Sequence, residues 1–159
     1  MKSFVLLMLW LALQLLGVAR SNEELDLDPS KYEDDVQVSK RSVLQFYILI
    51  RSQTGRDPKD YMGYGCWCGY GGKGRPVDKV DRCCQQHDWC YNSLYKKRKI
   101  CGRYEIYRKN YYHSGLKCYK GWWSSRCGRS LCACDVAAVK CFKRNRFNNR
   151  YKDWNKKSC

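Results

Sequence analysis

The run D-R-C-C-Q-Q-H-D-W-C-Y, Asp81 to Tyr91, decides the fold. Cys83, His87 and Cys90 stand at i, i+4 and i+7, so a helix places all three on one stripe. A second run, Leu131 to Phe142, carries Cys134 and Cys141 at the same seven-residue spacing, with small Ala137 and Ala138 between them. Pairing Cys83 with Cys141 and Cys90 with Cys134 makes both pairs of residue numbers sum to 224, the constant sum of two antiparallel helices in register. Asp135 then falls beside His87, their numbers summing to 222. A histidine clamped by two disulfides opposite a carboxylate on a neighbouring helix is the geometry of an oriented general base. The plainer reading is a structural histidine, and the adjacent Asp88 and facing Asp135 weigh against it.

Outward from that pair of helices, composition bounds the molecule. Lys2 precedes an apolar run, Phe4 to Leu16, and then Gly17, Val18 and Ala19, which marks residues 1–19 as a signal peptide and the protein as secreted and extracellular. The run holds 13 residues, short of the ~20 that a membrane-spanning helix needs. Residues 20–41 hold Glu23, Glu24, Asp26, Asp28, Glu33, Asp34 and Asp35, no cysteine, and end in Lys40-Arg41. They read as an acidic propeptide cut after a dibasic site; the alternative is a solvated acidic arm kept in the mature protein. Residues 42–159 then form one domain, and all twelve cysteines lie in it. An even count in a secreted chain implies six disulfides, and weighs against zinc at the C-x-C pairs.

Of 31 Lys and Arg residues and 15 acids, the first 41 residues hold five and seven, leaving 26 against eight and a formal charge of +18 over 42–159. Such a surface seeks anions. Basic clusters stand at Lys96 to Lys99, at Arg108 and Lys109, and through Lys143, Arg144, Arg146, Arg150, Lys152, Lys156 and Lys157. Trp122, Trp123, Tyr151 and Trp154 add rings suited to a membrane interface. The partner expected is an anionic phospholipid surface. Heparin-like glycans also fit, and secretion makes nucleic acid an unexpected partner. A solvated basic face serving solubility alone is the plain alternative.

Between Gly63 and Gly74 six glycines allow carbonyls to converge, and a hard cation such as calcium prefers oxygen ligands of that kind. Asp88 can supply the single carboxylate required, and no EF-hand pattern is present. The segment Ser42 to Arg51 is apolar nearly all round, with Val43, Phe46 and Ile50 near one helical face and Leu44 and Ile48 on an adjoining one. Tyr, Ser, Gly and Trp between Tyr111 and Arg126 suit a two-stranded hairpin.

Three linked motifs carry a family resemblance: C-C-x-x-H-D-x-C-Y at 83–91, Y-G-C-W-C-G-Y-G-G-K-G at 64–74 and C-x-C-D-x-A-A-x-x-C-F at 132–142. Together they resemble secreted, calcium-dependent phospholipase A2 over Ser42 to Cys159. The resemblance implies a mainly α, disulfide-rich fold: two long antiparallel helices cross-linked by disulfides, an N-terminal helix, a Gly-rich calcium loop and a small two-stranded β-hairpin. It implies four more bridges, Cys66 to Cys159, Cys68 to Cys84, Cys101 to Cys127 and Cys118 to Cys132. It implies one calcium ion held by the carbonyls of Trp67, Gly69 and Gly71 and by Asp88, with the Gly69 N–H at the oxyanion. His87 is then the base and Asp135 its orienting carboxylate, in hydrogen bonds with Tyr91 and Tyr111, with Tyr112 as the alternative to Tyr111. The N-terminal helix would line the mouth of an acyl-chain slot, with Gln45 and the amino terminus fixing the interfacial surface. The implied reaction is hydrolysis of the sn-2 acyl ester of glycerophospholipids at a membrane interface. The rival is a non-catalytic, membrane-disrupting or receptor-binding protein on the same scaffold; there the calcium-binding aspartate is typically replaced, and here Asp88 is present. One departure stands out. No cysteine occurs between Ser42 and Tyr64 or between Gly102 and Lys117, so a bridge common in relatives, from the first helix to the region before the hairpin, is missing. Its loss puts the rigidity of that helix and hairpin in question.

Overall fold

The computed structural model describes residues 41–159, so the segments expected to be signal peptide (1–19) and propeptide (20–41) lie outside the described residues, apart from the backbone of Arg41. Among the described residues four α-helices carry the fold: α1 (Arg41–Thr54), α2 (Lys79–Asn92), the single turn α3 (Glu105–Arg108) and α4 (Arg126–Arg144). Strands β1 (His113–Ser114) and β2 (Lys117–Cys118) pair antiparallel, His113 opposite Cys118, around Gly115. The hairpin is only two residues deep on each side. Helix α2 starts where Asp78 accepts the Asp81 N–H at 2.8 Å, and α4 starts where Ser125 Oγ accepts the Gly128 N–H at 3.0 Å. At its other end α2 runs into a π turn, Ser93–Lys97.

Helices α2 and α4 pack against each other, joined by Cys83–Cys141 and Cys90–Cys134, each with Cα atoms 5.8 Å apart. The remaining bridges are Cys66–Cys159, Cys68–Cys84, Cys101–Cys127 and Cys118–Cys132, and among the described residues no cysteine is free. With every thiolate consumed, zinc at the C-x-C pairs has no ligand. Leu49, Val80, Cys83, Leu131, Cys132 and Val139 form the centre of the core. Each bridge restricts the unfolded chain by roughly 2 to 4 kcal/mol, so a domain of this size does not depend on its apolar core alone.

Helix α1 packs on α3 and α4. Its buried stripe is Ser42, Leu49 and Ile50 with Phe46 half-buried, so the sequence reading missed Leu49, which is wholly buried. Leu44 and Ile48 form the outer face, 39% and 43% exposed. The missing bridge has a polar substitute. Gln45 Nε2 donates to the Tyr111 carbonyl at 2.6 Å, the Tyr111 N–H returns a bond to Gln45 Oε1 at 3.1 Å, and Ser42 Oγ donates to the Ile106 carbonyl at 3.1 Å. Helix and pre-hairpin segment are thereby tied without sulfur.

The C-terminal segment braces the glycine loop. Phe147 packs on Tyr61 and Tyr64, the Gly65 N–H donates to the Tyr151 carbonyl, and Cys159 is bonded to Cys66. Lys152 Nζ lies 2.6 Å from Asp60 Oδ1, and Lys156 Nζ donates to the carbonyls of Cys68 and Tyr70 at 3.2 and 2.9 Å. Two cations of the C-terminal cluster therefore have internal work as well as surface charge.

Candidate active site

His87 lies near the middle of α2 and Asp135 near the middle of α4, where the disulfide-locked register brings them together. His87 Nε2 is 2.6 Å from Asp135 Oδ1, with the imidazole 14% exposed and the carboxylate fully buried. A buried carboxylate needs donors on both oxygens. Tyr91 donates its hydroxyl to Oδ1 at 2.9 Å and Tyr111 donates to Oδ2 at 2.6 Å. Burial, reinforced by the Asp135 charge, holds both phenols well above the ordinary tyrosine pKa, so each stays a donor. Of the two candidates in the pre-hairpin segment, Tyr111 is the one that reaches: it is buried, whereas Tyr112 is 53% exposed.

Two contacts had no sequence signal of their own. Phe46 of α1 stacks on the imidazole, centroids 4.4 Å apart and planes 12° apart, while the Tyr91 ring lies 4.5 Å away, tilted. Gln45, one residue earlier, holds the backbone of Tyr111. Helix α1 thus supports both ends of the His87–Asp135 pair. The other histidine, His113, lies half-buried in β1 with Nδ1 3.1 Å from the Gly115 carbonyl and its ring centroid 5.9 Å from that of Tyr111.

On the next residue of α2, Asp88 faces the glycine loop. The loop is brought there by Cys68–Cys84 and by the C-terminal brace. Gly69 and Gly71 take left-handed backbone conformations, φ +89° and +75°, which side chains rarely adopt. A Cβ added to Gly72 would lie 2.9 Å from the Trp67 carbonyl oxygen and 3.0 Å from Asp88 Oδ2, so these two oxygens border one small space. Among the described residues no three His, Cys, Asp or Glu side chains cluster as a metal site. A metal here would take backbone carbonyls and one carboxylate, a hard-oxygen set that fits calcium and does not fit zinc. Burial pushes the Asp88 carboxyl up to about 6, against the opposing pull of the His87 and Lys156 charges. A cation in that space would compensate the desolvated carboxylate.

Tyr70 is 97% exposed and Trp89 56% exposed, at the loop tip and on α2; Trp122 and Trp123, before α4, are 92% and 57% exposed. Trp154 differs from the sequence reading. It is half-buried against Tyr151, and its Nε1 is buried without a hydrogen-bond partner.

The family model described as phospholipase A2 matches residues 43–152. The chain is 52% identical over 141 residues to phospholipase A2 A2-hormotoxin-Apt1a of Adamsia palliata, covering 88% of this chain and 87% of that protein. It is 58% identical over 118 residues to phospholipase A2 A2-actitoxin-Cgg2a of Condylactis gigantea, covering 74% and 99%. Basic phospholipase A2 Tbo-G6D49 of Craspedocephalus borneensis is 39% identical over 121 residues, covering 74% and 83%.

Proposed function

This chain belongs to the phospholipase A2 family and is a phospholipase A2 hydrolase; we propose that it cleaves the sn-2 acyl ester of glycerophospholipids at anionic membrane surfaces, with His87 as base and one calcium ion at Asp88. The observation that carries the assignment of roles is the 2.6 Å contact of His87 Nε2 with a buried carboxylate. That contact leaves Nδ1 as the nitrogen that takes a proton from water as the water oxygen attacks the ester carbonyl. Asp135 holds the imidazole tautomer and stabilises the imidazolium, and Tyr91 and Tyr111 hold Asp135. Phe46 limits rotation of the ring. When the tetrahedral intermediate collapses, the imidazolium returns its proton to the departing glycerol oxygen, leaving a lysophospholipid and a fatty acid. When bound by Asp88 and the carbonyls of Trp67, Gly69 and Gly71, calcium supplies a Lewis acid for the oxyanion and a partner for the substrate phosphate. The Gly69 N–H is the second oxyanion donor. No covalent enzyme intermediate is needed.

Three further assignments complete the proposal. The protein acts outside the cell, as expected from the residues 1–19 and in keeping with toxin-named relatives and six disulfides. Residues 20–41 are removed, a reading supported by the seven acids of that segment and by the dibasic Lys40-Arg41 at its end. The basic surface docks on anionic lipid, and heparin-like glycans are a second polyanion that it fits. No helix of the described residues is long and apolar enough to cross a membrane.

The experiment is secretion of the full chain, N-terminal sequencing, and calcium-titrated fatty-acid release from vesicles by the parent and His87→Gln. Sequencing should begin at Ser42. His87→Gln should lose at least 1,000-fold in turnover while keeping calcium and vesicle binding, in line with the ~10²–10⁴ that a positioned base contributes. Residual hydrolysis within tenfold of the parent would remove His87 from the role of base.

A further inference from the structure

Asp81 stands six residues before His87 on α2 and has no part in the chemistry above. It is fully buried, and its carboxylate accepts three backbone N–H groups from the glycine loop and the segment entering the helix. Cys66 N–H donates to Oδ2 at 2.8 Å, Val77 N–H to Oδ2 at 2.9 Å, and Trp67 N–H to Oδ1 at 2.7 Å. A buried ionised carboxylate is costly unless hydrogen-bonded, and backbone donors meet that need while fixing the peptide planes that carry them. Two of those planes, 65–66 and 66–67, directly precede the peptide whose oxygen is the Trp67 carbonyl beside Asp88. Room for the carboxylate comes from Gly65. A Cβ there would stand 2.4 Å from Asp81 Cγ and 2.5 Å from Oδ2, closer than any real contact, and the residue has φ +56°.

We propose that Asp81 is a positioning residue for the metal loop: its buried carboxylate, locked onto Cys66, Trp67 and Val77, aims the Trp67 carbonyl at the Asp88 space and so sets calcium affinity. This rests on the calcium assignment made above. Asp81 belongs neither to the proposed ligand set nor to the catalytic pair, its carboxylate being bonded to backbone N–H groups, so its loss changes how much calcium is needed and leaves the rate at saturating calcium nearly intact. A role in folding alone would have the opposite signature, lowering thermal stability with no selective change in calcium affinity.

The test is calcium titration of the mature, six-disulfide protein by calorimetry, beside hydrolysis as a function of calcium and melting in its absence. Asp81→Asn turns one accepting oxygen into an NH₂ that meets a backbone donor. It should raise the calcium dissociation constant at least tenfold with kcat at saturating calcium within threefold of the parent. Gly65→Ala keeps the carboxylate but drives it off its seat and should shift the constant in the same direction. A folded Asp81→Asn with parental calcium affinity overturns the proposal, as does a fall in kcat with unchanged affinity. If Asp81→Asn does not fold, parental affinity in Gly65→Ala overturns it, and failure of both to fold assigns Asp81 to the fold alone. Asp88→Lys separates the two levels: calcium binding retained in that variant defeats the calcium assignment itself, whereas loss there with parental affinity in Asp81→Asn defeats only the role given to Asp81.

Discussion

Tyr111 concentrates three functions in one residue: its hydroxyl donates to Asp135, and its N–H and carbonyl both bond the Gln45 side chain. Removing the hydroxyl leaves Asp135 Oδ2 without that donor in a site closed to water. A buried acceptor left unsatisfied costs about 1–3 kcal/mol, more when it is charged. Tyr111→Phe should therefore lower unfolding free energy by roughly that amount, with a loss in turnover of less than about tenfold because Tyr91 still donates to Oδ1. Tyr112→Phe, at an exposed ring, should change neither. Urea unfolding and vesicle hydrolysis on the same samples check both halves, and equal effects at the two tyrosines would contradict the buried hydrogen bond.

At the scale of elements, the two faces of α1 should separate an effect on stability from an effect at the proposed interface. Leu49 is wholly buried and Ile48 is 43% exposed, though they are adjacent in sequence. Leu49→Ala should cost about 2–5 kcal/mol, the range for truncating a core aliphatic side chain. Ile48→Ala should cost no more than about 0.5 kcal/mol, as surface substitutions do, yet reduce hydrolysis of vesicles relative to dispersed monomeric substrate. Denaturant midpoints and the ratio of the two activities separate these outcomes. A large stability loss at Ile48 would place it in the core. The same helix stacks Phe46 on His87, so the question raised by the missing disulfide is answered by packing and by the Gln45–Tyr111 bonds.

Across the whole molecule, the charge of +18 over 42–159 and the exposed Trp122 and Trp123 would give the proposed lipid docking two contributions of different salt dependence. Coulombic attraction is screened over ~8 Å at physiological ionic strength, whereas ring insertion is screened little. Hydrolysis of anionic vesicles should exceed that of zwitterionic vesicles, and the excess should shrink as salt rises. Joint replacement Lys143→Glu, Arg144→Glu and Arg146→Glu, at exposed positions, should weaken anionic-vesicle binding far more than monomer hydrolysis. Lys152 and Lys156 are unsuitable for that test, because their ammonium groups also bond Asp60 and the loop carbonyls. Vesicle binding indifferent to salt would move the interface from the basic residues to the tryptophans.

Helix periodicity and cysteine spacing were enough to pair α2 with α4 in register, because a period of 3.6 residues converts sequence separation directly into position on a face. That placed Asp135 beside His87, and the glycines with Asp88 pointed to an oxygen-ligand site. The hairpin and the N-terminal helix were legible as elements, but the orientation of α1 was not, since an all-round apolar segment does not say which side meets the core. Long-range polar contacts left no local pattern either: Gln45 to Tyr111 spans 66 positions, and Asp81 to Cys66 and Trp67 crosses from a helix to an irregular loop. Tertiary packing decided for Tyr111 against the alternative Tyr112, buried the Trp154 Nε1 and seated the Asp81 carboxylate in the space Gly65 leaves open. The physical reason is that a sequence encodes periodic surfaces locally, whereas which polar atoms end up facing each other is decided only when those surfaces close and exclude water.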